Sequence, residues 1–314
     1  MSWLRSAIWL LSATLAMAGT ASAQGRSEDV TANGFPATLT LPGNVRQPPM
    51  ALIISGSGPT DRDGNSIWGV SSAYLKKLGD ELAAAGIASL RYDKRGVAGS
   101  VAVVREEDVT ISTYVEDATR VLDWLLARSD VGPIAVVGHS EGGLVALCLA
   151  RQRPTISRLV LLTTPGRPLG EVLRGQFANQ PEPLKGQANA IIAELEAGRK
   201  VADVPPALAL FFRPSIYPYL MSVFPLDPAR SLSDIDQPAL VVGGGTDLQI
   251  FRADFDALAA ARPEVRSLWL PRMNHALVDV ADDPADNLAA YADAGRPLSP
   301  GLAQTVAAFL QDTR

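Results

Sequence analysis

The stretch Pro133-Ile134-Ala135-Val136-Val137-Gly138-His139-Ser140-Glu141-Gly142-Gly143 decides the fold. Its apolar run ends at a glycine, as expected of a strand buried on both faces. The residues after it, Glu141 to Arg151, are almost wholly apolar and read as a helix. Between strand and helix stands Gly-x-Ser-x-Gly. Glycines two residues either side of the serine permit a sharp, strained turn that lifts the hydroxyl clear of the backbone. Ser140 is therefore the candidate nucleophile. The competing reading is a glycine-rich turn that carries an idle serine.

Working outward, apolar runs alternate with amphipathic segments. Strands are predicted at Pro36 to Pro42, Met50 to Ser55, Ile87 to Tyr92, Arg158 to Thr163, Pro238 to Gly243 and Val265 to Leu270. Helices are predicted at Ser71 to Ala85, Ile111 to Arg128 and Pro300 to Asp312. This alternation predicts an α/β fold whose central sheet is mostly parallel and covered by helices on both faces. The rhythm breaks at residues 165–237, which are rich in proline and show no clear strand. Helical patterns at Lys185 to Ala197, Pro206 to Phe212 and Ser215 to Val223 predict an inserted helical cap. Its aromatic residues, among them Phe211, Phe212, Tyr217, Tyr219 and Phe224, argue against a disordered loop.

The chain has 314 residues, 47% of them hydrophobic, and a formal net charge of −5. That length supplies a core without disulfide or metal staples. No basic stripe is present to neutralise phosphates, so a nucleic-acid partner is not expected. At the N-terminus, Arg5, an apolar run from Ala7 to Ala18 and the triplet Ala21-Ser22-Ala23 read as a secretory signal peptide over residues 1–23. The mature chain, residues 24–314, would then begin near Gln24, in a bacterial periplasm or outside the cell. No later segment is long and apolar enough to span a bilayer, so no membrane insertion is expected after cleavage. The single cysteine, Cys148, cannot form an internal disulfide and reads as a buried, inert thiol.

A serine hydroxyl needs a base to take its proton. The chain has two histidines. His139 sits inside the elbow and should point away from Ser140, which leaves His275, in the loop after the last predicted strand. Such loops at the carboxyl ends of parallel strands carry catalytic groups. A carboxylate should hold the imidazole, and the chain order serine, acid, histidine favours Asp247, at the end of the strand Ala239 to Gly243. Asp254, Asp256 and Asp279 are the competing acids. The anionic intermediate needs two N–H donors. Glu141 N–H is one; Ser57 N–H, from the loop Ser55-Gly56-Ser57-Gly58-Pro59, is the first choice for the other and Gly58 the second.

Other segments invite other readings. Gly56-Ser57-Gly58 lacks the Lys-Ser/Thr of a phosphate-binding loop. Asp61-Arg62-Asp63-Gly64-Asn65 resembles a calcium loop but lacks its third acid and distal glutamate, so a salt-bridged turn is the better reading. Asp93-Lys94-Arg95-Gly96 ends a strand, and its charges are expected to pair locally. No cofactor and no metal is expected.

Taken together, residues 55–65, Arg91-Tyr92-Asp93-Lys94-Arg95-Gly96, residues 138–143, the turn ending at Asp247 and Met273-Asn274-His275 resemble a bacterial α/β-hydrolase subgroup. These are the serine aminopeptidase-like esterases, with dienelactone-hydrolase-like relatives. The resemblance spans about residues 35–312. It implies a carboxylesterase that acts on a small-molecule ester with a short acyl chain. Peptidase, amidase and acyltransferase activities share the same triad, and a non-catalytic binding protein on this fold is the rival from another class.

Overall fold

The computed structural model describes residues 25–43, 45–100 and 105–312. The predicted signal peptide and its cleavage site lie outside them. The frame is an eight-stranded sheet: β1 (Arg26–Ala32), β2 (Phe35–Leu41), β3 (Met50–Ile54), β4 (Ala88–Tyr92), β5 (Ile134–His139), β6 (Leu159–Leu162), β7 (Ala239–Gly244) and β8 (Arg266–Leu270). Its spatial order is β1-β2-β4-β3-β5-β6-β7-β8. Pairings from β4 through β8 are parallel, whereas β1 with β2 and β2 with β4 are antiparallel.

The helices are α1 (Tyr74–Ala84), α2 (Ile111–Leu126), α3 (Glu141–Gln152), α4 (Leu169–Gln176), α5 (Leu184–Glu196), α6 (Ala209–Phe212), α7 (Tyr217–Val223), α8 (Pro228–Ser233), α9 (Arg252–Ala259), α10 (Pro284–Ala290) and α11 (Leu302–Gln311). The two-residue period of a strand sorts its side chains onto two faces. Met50, Leu52 and Ile54 pack with α2, α3, α8 and α9, while Ala51 and Ile53 pack with α1 and α11. Strands β3, β6 and β7 are therefore apolar throughout. Burying one such Leu, Ile or Val side chain contributes about 1.5–3 kcal/mol.

Three elements depart from the sequence expectation. β1 forms by antiparallel pairing with β2, and no strand is predicted before Pro36 because β1 lies at the sheet edge and most of its residues are polar and solvent-facing. The Asn33-Gly34 turn, with φ of 47° and 96°, closes the β1–β2 hairpin. Both central residues of this tight turn take positive φ. Between β6 and β7 the chain carries α4 to α8, of which α4 and α8 are not anticipated. Helices α4 to α7 share an apolar cluster of Leu173, Phe177, Ile192, Phe212, Tyr217 and Leu220. Cys148 is half-buried rather than fully buried, and burial raises its thiol pKa.

No helix among the described residues is long and apolar enough to cross a membrane.

Candidate active site

The site lies at the carboxyl edge of β3, β5, β7 and β8. Ser140 joins β5 to α3 with φ 53° and ψ −123°, a conformation strained for a residue with a Cβ. The flanking glycines exist for lack of room. A Cβ on Gly138 would come within 2.4 Å of the Gly142 carbonyl oxygen, and one on Gly142 within 2.3 Å of the Ile54 carbonyl oxygen. The turn thus fits only with backbone against backbone, and it leaves Ser140 at the head of α3.

Asp247 and His275 come from neighbouring strand ends. Nδ1 of His275 donates to Asp247 Oδ2 at 2.8 Å. The other carboxylate oxygen accepts from the N–H of Gln249 at 2.7 Å and of Ile250 at 3.0 Å. Both side chains are almost fully buried. The carboxylate is thereby oriented at both oxygens and fixes the tautomer of His275 with its proton on Nδ1. Nε2 remains as the basic nitrogen.

The competing acids have other partners. Asp254 is fully buried and holds Arg167 through both oxygens. Asp256 pairs with Arg252 at 2.7 Å, and Asp279 accepts from Ser299 Oγ at 2.6 Å.

His139 has a task that sequence reasoning misses. Its Nε2 lies 2.8 Å from the His275 carbonyl oxygen, which can only accept, so Nε2 carries the proton. The ring packs between Tyr74 and His275, tilted by 53° and 55° to them, with both centroid distances 4.8 Å. This hydrogen bond docks residue 275 against the residue that precedes Ser140. Burial, with the adjacent His275 second, holds the His139 pKa well below its ordinary range, so the ring is a neutral strut. Asn274 is a second missed residue. Its Oδ1 caps the N–H of Ala276 and Val278, and its Nδ2 donates to Asn287, so the loop around His275 is shaped from within.

The loop after β3 is also held in several ways. Thr60 Oγ1 donates to the Ser57 carbonyl at 2.8 Å, and Ser55 Oγ donates to the Thr60 carbonyl at 3.2 Å. Among the described residues the N–H groups of Ser57 and Glu141 donate to no acceptor of the protein. Both expected donors are therefore free to serve a ligand.

The charges of residues 93–95 do not pair locally, contrary to the sequence expectation. Asp93 Oδ1 accepts the Arg62 N–H at 2.9 Å, and Arg95 holds the buried Asp117 on α2. Lys94 reaches the Gly56 carbonyl and the Glu141 carboxylate. Beside them, Arg91 pairs with Asp63 at 3.1 Å. Asp61 closes its own turn by accepting the N–H groups of Asp63 and Asn65. The two charged motifs are two sides of one interlock, which explains the acidic loop without a cation. No cluster of three metal-ligating side chains occurs among the described residues.

This geometry can be set beside known proteins. A family profile described as "Alpha/beta hydrolase family" matches residues 51–291, and the chain belongs to that family. Esterase EstD of Thermotoga maritima is 29% identical over 259 residues, which is 80% of this chain and 60% of that protein's length. The chain thus spans less than two thirds of that curated relative. Among solved structures, Est1E of Butyrivibrio proteoclasticus with ferulic acid bound matches with a TM-score of 0.57 and 20% identity, covering 84% of this chain and 96% of that one. Proline iminopeptidase of Mycobacterium smegmatis matches with a TM-score of 0.54 and 17% identity, covering 91% and 97%. At those identities the structural likeness speaks for the fold alone.

Proposed function

We propose that the protein is a serine hydrolase that cleaves carboxylic esters with short acyl chains, and that it belongs to the serine aminopeptidase-like, dienelactone-hydrolase-like subgroup. One observation carries the reading. Ser140 stands on a strained elbow at a helix head, and residue 275, docked on residue 139, presents an imidazole oriented by Asp247 at 2.8 Å. The name of the 29% identical esterase adds support for ester substrates.

In this reading Ser140 Oγ attacks the ester carbonyl carbon while His275 Nε2 takes its proton. The carbonyl oxygen becomes an anion held by the N–H groups of Ser57 and Glu141. The tetrahedral intermediate collapses, the carbon–oxygen bond to the leaving alcohol breaks, and His275 gives that alcohol its proton. Water then repeats the sequence on the acyl-enzyme and releases the acid. Asp247 stabilises the imidazolium in both halves. No cofactor takes part.

A fluorophosphonate probe tests the nucleophile. Wild type should be labelled at Ser140, whereas Ser140→Ala should remain unlabelled and lose on the order of 10⁶ in kcat. Equal labelling of the two proteins would overturn the assignment. Turnover of p-nitrophenyl acetate against an aminoacyl p-nitroanilide tests the bond type. Faster cleavage of the anilide would make the protein a peptidase with the same triad. We also propose export, on the signal-peptide pattern of residues 1–23. The protein purified from its native cells should begin near Gln24, and an intact Met1 would overturn this.

A further inference from the structure

The chain buries an ammonium beneath the site that the mechanism above leaves unused. Lys94, just past the end of β4, is 3% exposed at its side chain. Its Nζ donates to the Gly56 carbonyl, lies 3.5 Å from Glu141 Oε1, and sits 5.1 Å from the centre of the Tyr114 ring. Glu141 in turn accepts from the Tyr219 hydroxyl of α7. Each partner has a meaning for the oxyanion. The Gly56 carbonyl belongs to the same peptide unit as the Ser57 N–H. Glu141 carries the other N–H donor on its own backbone.

We propose that Lys94 is a positioning residue of the oxyanion site, whose ammonium locks and polarises the Gly56–Ser57 peptide so that its N–H is presented to the anion. The inference rests on the assignment of Ser57 N–H as an oxyanion donor. A trans peptide is planar, with its C=O and N–H pointing in opposite directions. Fixing the carbonyl on one side therefore aims the N–H on the other. A cation on that carbonyl also draws electron density along the peptide, and a donor in a polarised chain is stronger. The oxyanion site gains preorganisation, so no dipole has to turn as charge develops.

The competing explanation is a buried ion pair that serves only stability. Such pairs are commonly replaceable by apolar side chains of similar volume without loss. Burial pulls the Lys94 pKa below the ordinary lysine range, and Glu141 draws it back up. The amino group is thus placed, at a desolvation cost, in contact with the carbonyl that sets the donor and with the carboxylate of the other donor residue.

The test uses Lys94→Met and the charge-balanced Lys94→Met/Glu141→Gln. The single variant strands a buried carboxylate and is expected to lose stability, so the double variant carries the decision. With p-nitrophenyl acetate, kcat should fall about 10²-fold, close to the loss of one oxyanion donor, while KM stays within about threefold. Inhibition by phenylboronic acid, whose adduct with the serine places an oxygen in the same hole, should weaken in parallel. Fluorophosphonate should still label Ser140 to completion, only more slowly. A double variant with wild-type kcat overturns the proposal. So does one whose kcat falls while boronate affinity is unchanged, because the oxyanion site would then be intact without Lys94. Wild-type protein that fluorophosphonate fails to label would instead defeat the serine hydrolase reading itself.

Discussion

Around Ser140 the polar side chains are buried, and Asp247, Asn274, His139, Lys94 and Glu141 each meet more than one partner. In the insertion between β6 and β7 the arrangement is reversed. Helices α4 to α7 bury apolar residues against one another and place their ion pairs outside, such as Arg174 with Glu196 at 2.6 Å and Arg199 with Glu194 at 2.7 Å. A few tethers join the two regions: Tyr219 to Glu141, Arg213 and Ser215 to Glu106, Ser222 to the N–H of Ile111, and Arg167 to Asp254. The difference shows where each kind of constraint is spent. The chemistry requires atoms fixed to tenths of an ångström, so its loops are knit by buried hydrogen bonds. The insertion requires only a cohesive body with a few fixed points, and one of those points, Glu141, is the residue proposed above to supply an oxyanion donor.

That contrast can be broken from the buried side first. Asp247→Asn keeps the shape of the side chain but removes the charge that orients His275, and kcat should fall by up to about 10⁴. Steady-state kinetics on p-nitrophenyl acetate measures this. A variant within tenfold of wild type would place the working acid elsewhere and return Asp247 to a structural role.

A smaller effect should appear in stability against pH. The folded state keeps His139 neutral, whereas the unfolded chain protonates it near the ordinary imidazole value of about 6.5. Below that value the unfolded state binds more protons, so stability declines as pH falls, and above it this histidine adds no slope. Between pH 7.5 and 5.5 its share should be about 1.4 kcal/mol. Urea midpoints of wild type and His139→Gln at the two pH values isolate it, since the variant should lack that share. Equal pH slopes would mean that the strut takes up a proton inside the fold.

The smallest effect belongs to the insertion's surface. Arg174→Ala breaks an ion pair about one third exposed on both sides. It should cost less than about 1 kcal/mol and leave turnover unchanged. A large loss of activity would show that the insertion is held to the site far more tightly than its few tethers imply.

Much of this was legible along the chain because it is local or ordered by topology. The strand, Gly-x-Ser-x-Gly and helix at 134–152 declare the elbow within one contiguous segment. His275 follows from the scarcity of histidines, and Asp247 from the order of strand ends. Asn33-Gly34 is a hairpin signal that could have revealed β1, but the polar edge strand beside it hides the apolar pattern. The struts were not legible. His139 acts on a carbonyl 136 residues away, and Lys94 on one 38 residues away. A buried lysine and a surface lysine look alike in a sequence, and so do a local ion pair and an interlock across two loops. Only the fold decides which partners arrive.

The protein contains two histidines, and both lie in the site with their rings 4.8 Å apart and opposite tautomers, the proton on Nε2 in His139 and on Nδ1 in His275. Nitrogen-15 histidine incorporated into the whole protein would therefore illuminate the active centre and nothing else. Its spectrum would contain four ring-nitrogen signals, two from an imidazole that stays silent as acid is added and two from one that works. The molecule carries its own built-in probe of proton traffic, and no label need be attached to read it.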